Sequence, residues 1–434
     1  MAETEFTSIQ QAMDKGSGAV ALHGWVHRER GSNKLKFVVL RDSTNTIQCV
    51  IDKNVVGEEN FGLADKLQVE ASLKIFGSIK KEERAPTGFE VHVSRFEIVG
   101  ECDKFPIRSD QSREFMDDNR HLTLRTRRMT AILKVRSVFF QVREQFFQEK
   151  GFHRFDPPIF QPSQCEGGST LFAVKYYETE TYLTQSWQLY AEAAVYALEN
   201  VYDAAPTFRA EKSKTSRHLS EFWMLEAECA WKGLHEISEL AKEELKYCIV
   251  KVVEKCEPEL KLLGQDIDKL RKVAAAEWPT IKYREVLRIL KEKKGMDVPF
   301  GKDLRTIEEE KVMEEFDVPV VVTHYPVEVM AFYKPRDPEF ADEALCFDML
   351  APEGYGEIVG GSERSMDVED MKARLEAEGE DASNYDWYFD LRKYGGVPHS
   401  GYGVGAERVI AWICALDNVK DAIPFPRTML RWKP

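Results

Sequence analysis

The run TFRAEKSKTSRHLSEFWMLEAECAW, residues 207 to 231, constrains the fold more than any other part of the chain. Its ends alternate at the period of a strand, and its middle, KSKTS, is basic and rich in small residues. The stretch therefore predicts two strands joined by a cation-bearing loop. In the second strand, period 2 places Phe222, Met224, Glu226 and Glu228 on one face and Trp223, Leu225, Ala227 and Cys229 on the other. Arg209 and Glu211 share one side of the first. A solvated sheet face with cross-strand ion pairs accounts for any one of these residues. Taken together beside a basic loop, they suit a site for a polyanion.

Upstream, from about 19 to 100, five short alternating segments (AVALHGWVHRE, KLKFVVLRD, IQCVID, ASLKIFGSIK and FEVHVSRFEIVG) are separated by turn residues. They predict a small antiparallel β-domain, a five-stranded barrel. The polar stretch 103–128 has little apolar periodicity and reads as a hinge between a first domain, 1–102, and a second, 129–434. Ile132, Val135, Phe139, Val142 and Phe146 then recur at helical spacing, predicting a long amphipathic helix that stops at Gly151, with a strand in FHRFDPPIF after it. Strands and helices beyond follow no strict βαβ order, which favours an α+β domain on a largely antiparallel sheet. Residues 233 to about 315 read as charged helices packed outside that sheet.

Two further stretches carry chemistry. In FDMLAPEGYGEIVGGSER, residues 347–364, Asp348, Glu353, Glu357, Glu363 and Arg364 sit among glycines; carboxylates without His or Cys suit Mg²⁺ shared with substrate phosphates, or else a charged hairpin. VPHSGYGVGAERVIAWICAL, residues 397–416, reads as a Gly-rich turn running into a helix with Arg408 in its first turn. There is no GxxxxGK[ST], nor a GxGxxG between strand and helix, so a bound nucleotide must be held by arginines and Mg²⁺.

A formal charge of −14 argues against nonspecific nucleic-acid binding by the whole surface. Between His23 and Arg41, however, Arg28, Arg30, Lys34, Lys36 and Arg41 face one acid, Glu29. The eight cysteines form no CxxC pair or Cys/His cluster and read as reduced thiols. With no apolar run long enough to span a bilayer and no leader-like start, the expected location is the cytoplasm.

GFHRFDPPIF, FRAE…RHLSEFWMLEAE and GYGVGAERVIAWI, in this order, resemble motifs 1, 2 and 3 of the class II aminoacyl-tRNA synthetases, at about 132–160, 205–231 and 400–416. A β-barrel ahead of them is similar to the aspartyl, asparaginyl and lysyl subgroup. The resemblance implies an OB-fold anticodon-binding domain, a hinge, and an antiparallel-sheet catalytic domain that forms a homodimer through motif 1. It implies Arg209 at the α-phosphate of ATP and the substrate carboxylate, with Glu211, Arg217 and His218 near the ATP phosphates. Phe222 would stack on adenine, Arg408 would meet the γ-phosphate, and Asp348 and Glu357 would bind Mg²⁺. Gly360 stands where aspartyl enzymes often carry a serine. In the barrel, Arg30, Phe37 and Gln48 match the anticodon readers; taken alone, Phe37 reads as strand core.

The side-chain pocket separates aspartate from asparagine. Aspartyl enzymes carry a pattern like QSPQxxKQ, in which the lysine pairs with the substrate carboxylate; here QSWQLYAE places Ala191 at the lysine and Glu192 at the last glutamine. An unpaired carboxylate in a closed site is costly, so L-asparagine and tRNA(Asn) are the expected partners. Glu226 is expected to accept from the substrate amide and Arg364 to donate to it. Glu166, Ser186 and Gln188 would hold the α-amino group, and His399 would help close the site. An aspartate-activating member, or a tRNA-independent asparagine-forming relative, is the alternative.

Overall fold

The computed structural model describes residues 5–108, 110–165, 171–213, 215 and 217–433. The chain divides into two compact units, Met1–Gln111 and Ser112–Pro434.

In the first unit, five strands close into a barrel in the order Gly18–Gly31, Leu35–Arg41, Thr46–Asp52, Phe89–Gly100, Ser72–Lys81. Alternation decides which side chains fill it: Val38 and Leu40 are fully buried, while Phe37 and Val39 point the other way and stay partly exposed. The core reading of Phe37 is thus overturned by the phase of its own strand. Phe37 pairs in register with Arg30, whose guanidinium lies 5.2 Å from the ring centroid. Arg30 Nη2 reaches Gln48 Oε1 at 3.5 Å, and Gln48 donates to Glu90 at 3.2 Å. Two cations of the basic patch are already paired, Lys36 with Glu29 and Arg41 with Glu70.

The second unit is built on an eight-stranded sheet. Its spatial order is Thr280–Lys282, Val320–Thr323, Cys346–Ala351, Gly356–Glu363, His399–Gly405, Glu221–Ala230, Asn200–Phe208, His153–Arg154. Only the two outermost pairings are parallel. One face is covered by Arg127–Glu149, the 30-residue helix Leu234–Leu263 and Ala406–Ile413, whose apolar sides join Leu225, Ala227 and Cys229 in one core. The opposite face of the same strand carries Phe222, Met224, Glu226 and Glu228, as period 2 requires, and opens onto a cavity. Among the described residues no helix is long and apolar enough to cross a membrane. The cysteines are free thiols.

Three local expectations change. FHRFDPPIF is not one strand: Pro157 and Pro158 supply no N–H to a ladder, and only His153–Arg154 and Phe160–Gln161 pair, in different sheets. The stretch 103–128 is not wholly linker, because Arg113–Asp118 and Arg120–Thr123 are helical. Arg120, 2 % exposed, donates to the carbonyls of Lys420, Ile423 and Pro424, fixing that end to the second unit. Finally, the Gly-rich segment 399–405 is a central strand, not a turn. A Cβ at Gly401 would stand 1.9 Å from Glu228 Oε2, and one at Gly403 2.4 Å from Met224 Cε. Glycine there lets the neighbouring strand's side chains cross the sheet face.

Asp203, opposite Glu226 in the ladder, is almost fully buried, and burial pushes its carboxyl up to about 6. The native state therefore binds this proton more tightly than the unfolded chain. Its contribution to stability is present below the ordinary value of 3.8 and is lost as pH rises through about 6. Asp203→Asn should raise the calorimetric Tm at pH 7.5, with the difference from wild type vanishing near pH 4.

Candidate active site

The cavity has a volume of about 530 Å³, within the range of small-molecule sites. It runs from an arginine-rich end, past a carboxylate cluster, to a buried polar end.

At the first end Arg209 follows the strand Asn200–Phe208, its guanidinium 5.4 Å from the Phe222 ring centroid. Its Nε is buried and has no hydrogen-bond partner among the described residues, so a donor is held ready for an anion. Arg408 enters from the first turn of Ala406–Ile413 and donates to the Glu357 carbonyl at 2.7 Å. His218 lies 3.6 Å from Glu211; burial and then the cations Arg408, Arg209 and Arg217 depress its pKa, outweighing Glu211. Arg217 lines the cavity, but its guanidinium is bound to Glu310 at 2.6 Å and to the Gly354 carbonyl. Lys214 and Ser216 of the KSKTS loop lie outside the described residues.

Midway, Asp348 and Glu357 project into the cavity from adjacent strands of a hairpin, as the hairpin reading of 347–364 expects. Asp303 also lines the wall, and Glu309 borders it. Burial and then Glu357 raise the Asp348 carboxyl well above its ordinary value and raise that of Asp303; the same causes bring Glu309 to about 7. Neighbouring carboxylates of this kind suit a hard divalent cation, whose charge would relieve their repulsion. Gly360 faces this group, where a Cβ would lie 3.2 Å from Glu357 Oε1.

At the polar end, Arg364 donates from Nε and Nη2 to the two oxygens of Glu228, both at 2.8 Å, and from Nη1 to Ser362 Oγ at 2.8 Å. Burial opposes charge on the Arg364 guanidinium, but Glu228 raises its pKa overall. Glu226 does not present a free acceptor. Its carboxylate accepts from Ser186 Oγ at 2.5 Å and from the Trp187 backbone N–H at 3.1 Å, and so anchors the start of helix Gln188–Leu198. The acceptor beside Arg364 is Glu228, one pleat further along.

Ser186 is buried and accepts from the Gln188 N–H at 3.1 Å, while Gln188 reaches the cavity. Ala191 is not in the wall. It is fully buried in a cluster with Trp187, Ala194, Val195, Val201 and Ala230, because the helix turns that position toward the sheet. His399, also fully buried, sits behind the pocket against Glu192 and the Val397 carbonyl. Glu166 lies outside the described residues.

Sequence reasoning assigned no role to Glu228, Asp303, Glu309, Tyr388 or Arg392. Glu228 was visible on the right face. Tyr388 and Arg392 had a weaker signal, an i, i+4 polar pair on the amphipathic helix Asp386–Lys393. Asp303 and Glu309 lie in no motif.

Comparison with known proteins gives a consistent picture. Residues 112–429 match the model of tRNA synthetases class II (D, K and N), and residues 20–99 match the OB-fold nucleic acid binding domain. An asparagine–tRNA ligase of Thermoplasma acidophilum is 43 % identical over 415 residues, covering 96 % of each chain. One from Lactobacillus johnsonii is 43 % identical over 432 residues, covering 99 % of this chain and 100 % of its own. The crystal structure of asparaginyl-tRNA synthetase from Pyrococcus horikoshii complexed with asparaginyl-adenylate is 42 % identical, covers 100 % of both chains and superposes with a TM-score of 0.96. A sheet walled by long helices on one face, an arginine-flanked cavity on the other and a closed barrel ahead of them thus place this chain among the class II tRNA synthetases of the D, K and N family.

Proposed function

We propose that this protein is an asparagine–tRNA ligase, which activates L-asparagine with ATP and transfers the asparaginyl group to tRNA(Asn). The observation that carries the choice of amino acid is the buried pair of Arg364 and Glu228. A cation already bidentate with a carboxylate has no unpaired charge to offer aspartate, yet the pair presents a donor and an acceptor to an amide.

In the first step a carboxylate oxygen of asparagine attacks the α-phosphorus, a new P–O bond forms, and the bond to pyrophosphate breaks. In the second, a terminal ribose hydroxyl of tRNA attacks the acyl carbon and AMP leaves. No protein nucleophile is required; the chain's work is to align two anions and neutralise charge. Arg209 would bridge the α-phosphate and the substrate carboxylate, Phe222 would offer a face to adenine, and Arg408 would meet the far phosphates. Arg217 exchanges Glu310 and Gly354 for phosphate oxygens. Asp348 and Glu357 would hold Mg²⁺, which supplies charge neutralisation to the leaving pyrophosphate. Gln188, with Ser186 behind it, would take the α-amino group together with Glu166.

The barrel reads the anticodon through Phe37, Arg30 and Gln48. Stacking of one base on an aromatic is worth roughly 1–3 kcal/mol, so Phe37→Ala should raise the KM for tRNA about tenfold or more in aminoacylation assays, leaving pyrophosphate exchange unchanged. Dimerisation through Arg127–Glu149 and the segment after it, and a cytoplasmic location, belong to the same reading.

The test is ATP–pyrophosphate exchange with asparagine and aspartate side by side. Exchange driven by asparagine supports the reading. Stronger exchange with aspartate would make the protein an aspartyl enzyme, and release of asparagine from aspartate and ammonia without tRNA would replace ligation by synthesis.

A further inference from the structure

Behind the polar end of the cavity lies a group of charges that the reaction as described does not use. Glu192, on helix Gln188–Leu198, is fully buried and does not reach the cavity. Its carboxylate accepts from Gln188 Nε2 at 3.0 Å, Tyr388 OH at 2.7 Å and Arg392 Nη2, and meets His399 Nε2 at 2.9 Å. Arg364 Nε is 3.8 Å from it. Arg392 is itself fixed by the Ser365 carbonyl at 3.0 Å, next to Arg364, which follows the strand Gly356–Glu363.

Burial alone would raise the Glu192 carboxyl; Arg392, His399 and Arg364 outweigh it and hold it well below the carboxylate range. Apart from the imidazole of His399, the buried charges comprise two carboxylates, Glu192 and Glu228, and two guanidiniums, Arg364 and Arg392. Glu192, Glu228 and His399 converge closely enough to hold a metal ion, but the two guanidiniums already answer their negative charge. The two carboxylates and the two guanidiniums match one for one before any amino acid arrives.

We infer that Glu192 is a positioning residue that enforces amino-acid specificity: it holds Gln188 and Arg364 in place and keeps the pocket's charge balanced, so that a neutral amide is accepted and an anionic side chain is not. The inference rests on the reading of this cavity as an asparagine site. Removing the Glu192 charge leaves two guanidiniums against Glu228 alone. An incoming aspartate carboxylate would then restore the balance instead of upsetting it. Glu192 also acts on Gln188, so its loss should loosen the α-amino contact and raise the KM for asparagine.

The experiment uses the full chain as Glu192→Gln, Glu192→Asp and the charge-balanced double variant Glu192→Gln/Arg392→Gln. Pyrophosphate exchange is measured with asparagine and with aspartate, together with the KM for ATP and the Tm. Glu192→Gln should lower the asparagine-to-aspartate ratio of kcat/KM by about tenfold or more, through a higher KM for asparagine and a gain with aspartate, leaving the KM for ATP unchanged. Glu192→Asp, which keeps the charge, should hold the ratio within roughly twofold, and the double variant should recover most of it. An unchanged ratio in Glu192→Gln, a parallel fall for both amino acids, or a double variant as relaxed as the single one overturns the inference. If Glu192→Gln alone does not fold, the comparison of Glu192→Asp with the double variant still decides, because only charge balance predicts that both discriminate. Wild-type protein without asparagine-dependent exchange would instead overturn the assignment of substrate, before any variant is compared.

Discussion

Arg209→Ala should lower asparagine-dependent pyrophosphate exchange by roughly 10²–10³-fold, the usual loss when one preorganised donor to developing charge is removed. The Arg209 Nε is buried without a hydrogen-bond partner among the described residues, a state that costs free energy until an anion arrives. The Phe222 ring, 5.4 Å from the guanidinium, supports it from one side. The group is therefore oriented before ATP binds, and in the proposed reaction its contribution would grow as charge develops on the oxygens of the α-phosphoryl group under attack. A fall mainly in kcat, with the KM for asparagine changed only a few-fold, is the signature of an interaction made in the transition state. Arg209→Lys keeps the charge but loses the planar fork, and should recover only a small part of the activity. Activity within tenfold of wild type in Arg209→Ala would remove this residue from the chemistry.

Glu228→Gln should have the second largest effect, lowering kcat/KM for asparagine by about 10²-fold or more, since truncating one partner of a buried hydrogen-bonded charge pair costs roughly 2–5 kcal/mol. The variant leaves Arg364, 6 % exposed, without its bidentate partner. Two consequences separate this from simple destabilisation. Aspartate should begin to support exchange, because the released guanidinium can now pair with it, and high concentrations of aspartate should raise the Tm of the variant more than that of wild type. Glu226→Gln makes the contrast. Glu226 ties Ser186 and the Trp187 N–H together, so its loss should raise the KM for asparagine without transferring activity to aspartate.

The barrel and the motif-bearing sheet were legible because one face of each is buried and alternation reports that directly. Val38 and Leu40 against Phe37, and Leu225 and Ala227 against Glu226 and Glu228, follow from a period of 2 alone. The partner of each polar group was not legible. Glu226 and Glu228 lie on the same face two residues apart, and which of them meets Arg364 depends on the register with His399–Gly405. Glu192 and Arg392 are 200 residues apart, and nothing local marks their meeting. Ala191 marked a pocket wall by resemblance, but one step along a helix turns a side chain through about 100°, and position 191 faces the sheet. The hinge was overextended because Arg120 finds its acceptors some 300 residues later.

The strand His399–Gly405 limits how this enzyme could be redesigned. At Gly401 and Gly403 the neighbouring strand's Glu228 and Met224 already occupy the space where side chains would begin. Libraries that vary only pocket side chains leave this bare backbone as a fixed wall, and any residue added there displaces Glu228 or Met224 before it touches a substrate. Variants for larger or differently charged amino acids must therefore be sought on the 183–192 and 330–334 sides, with the glycine strand held constant.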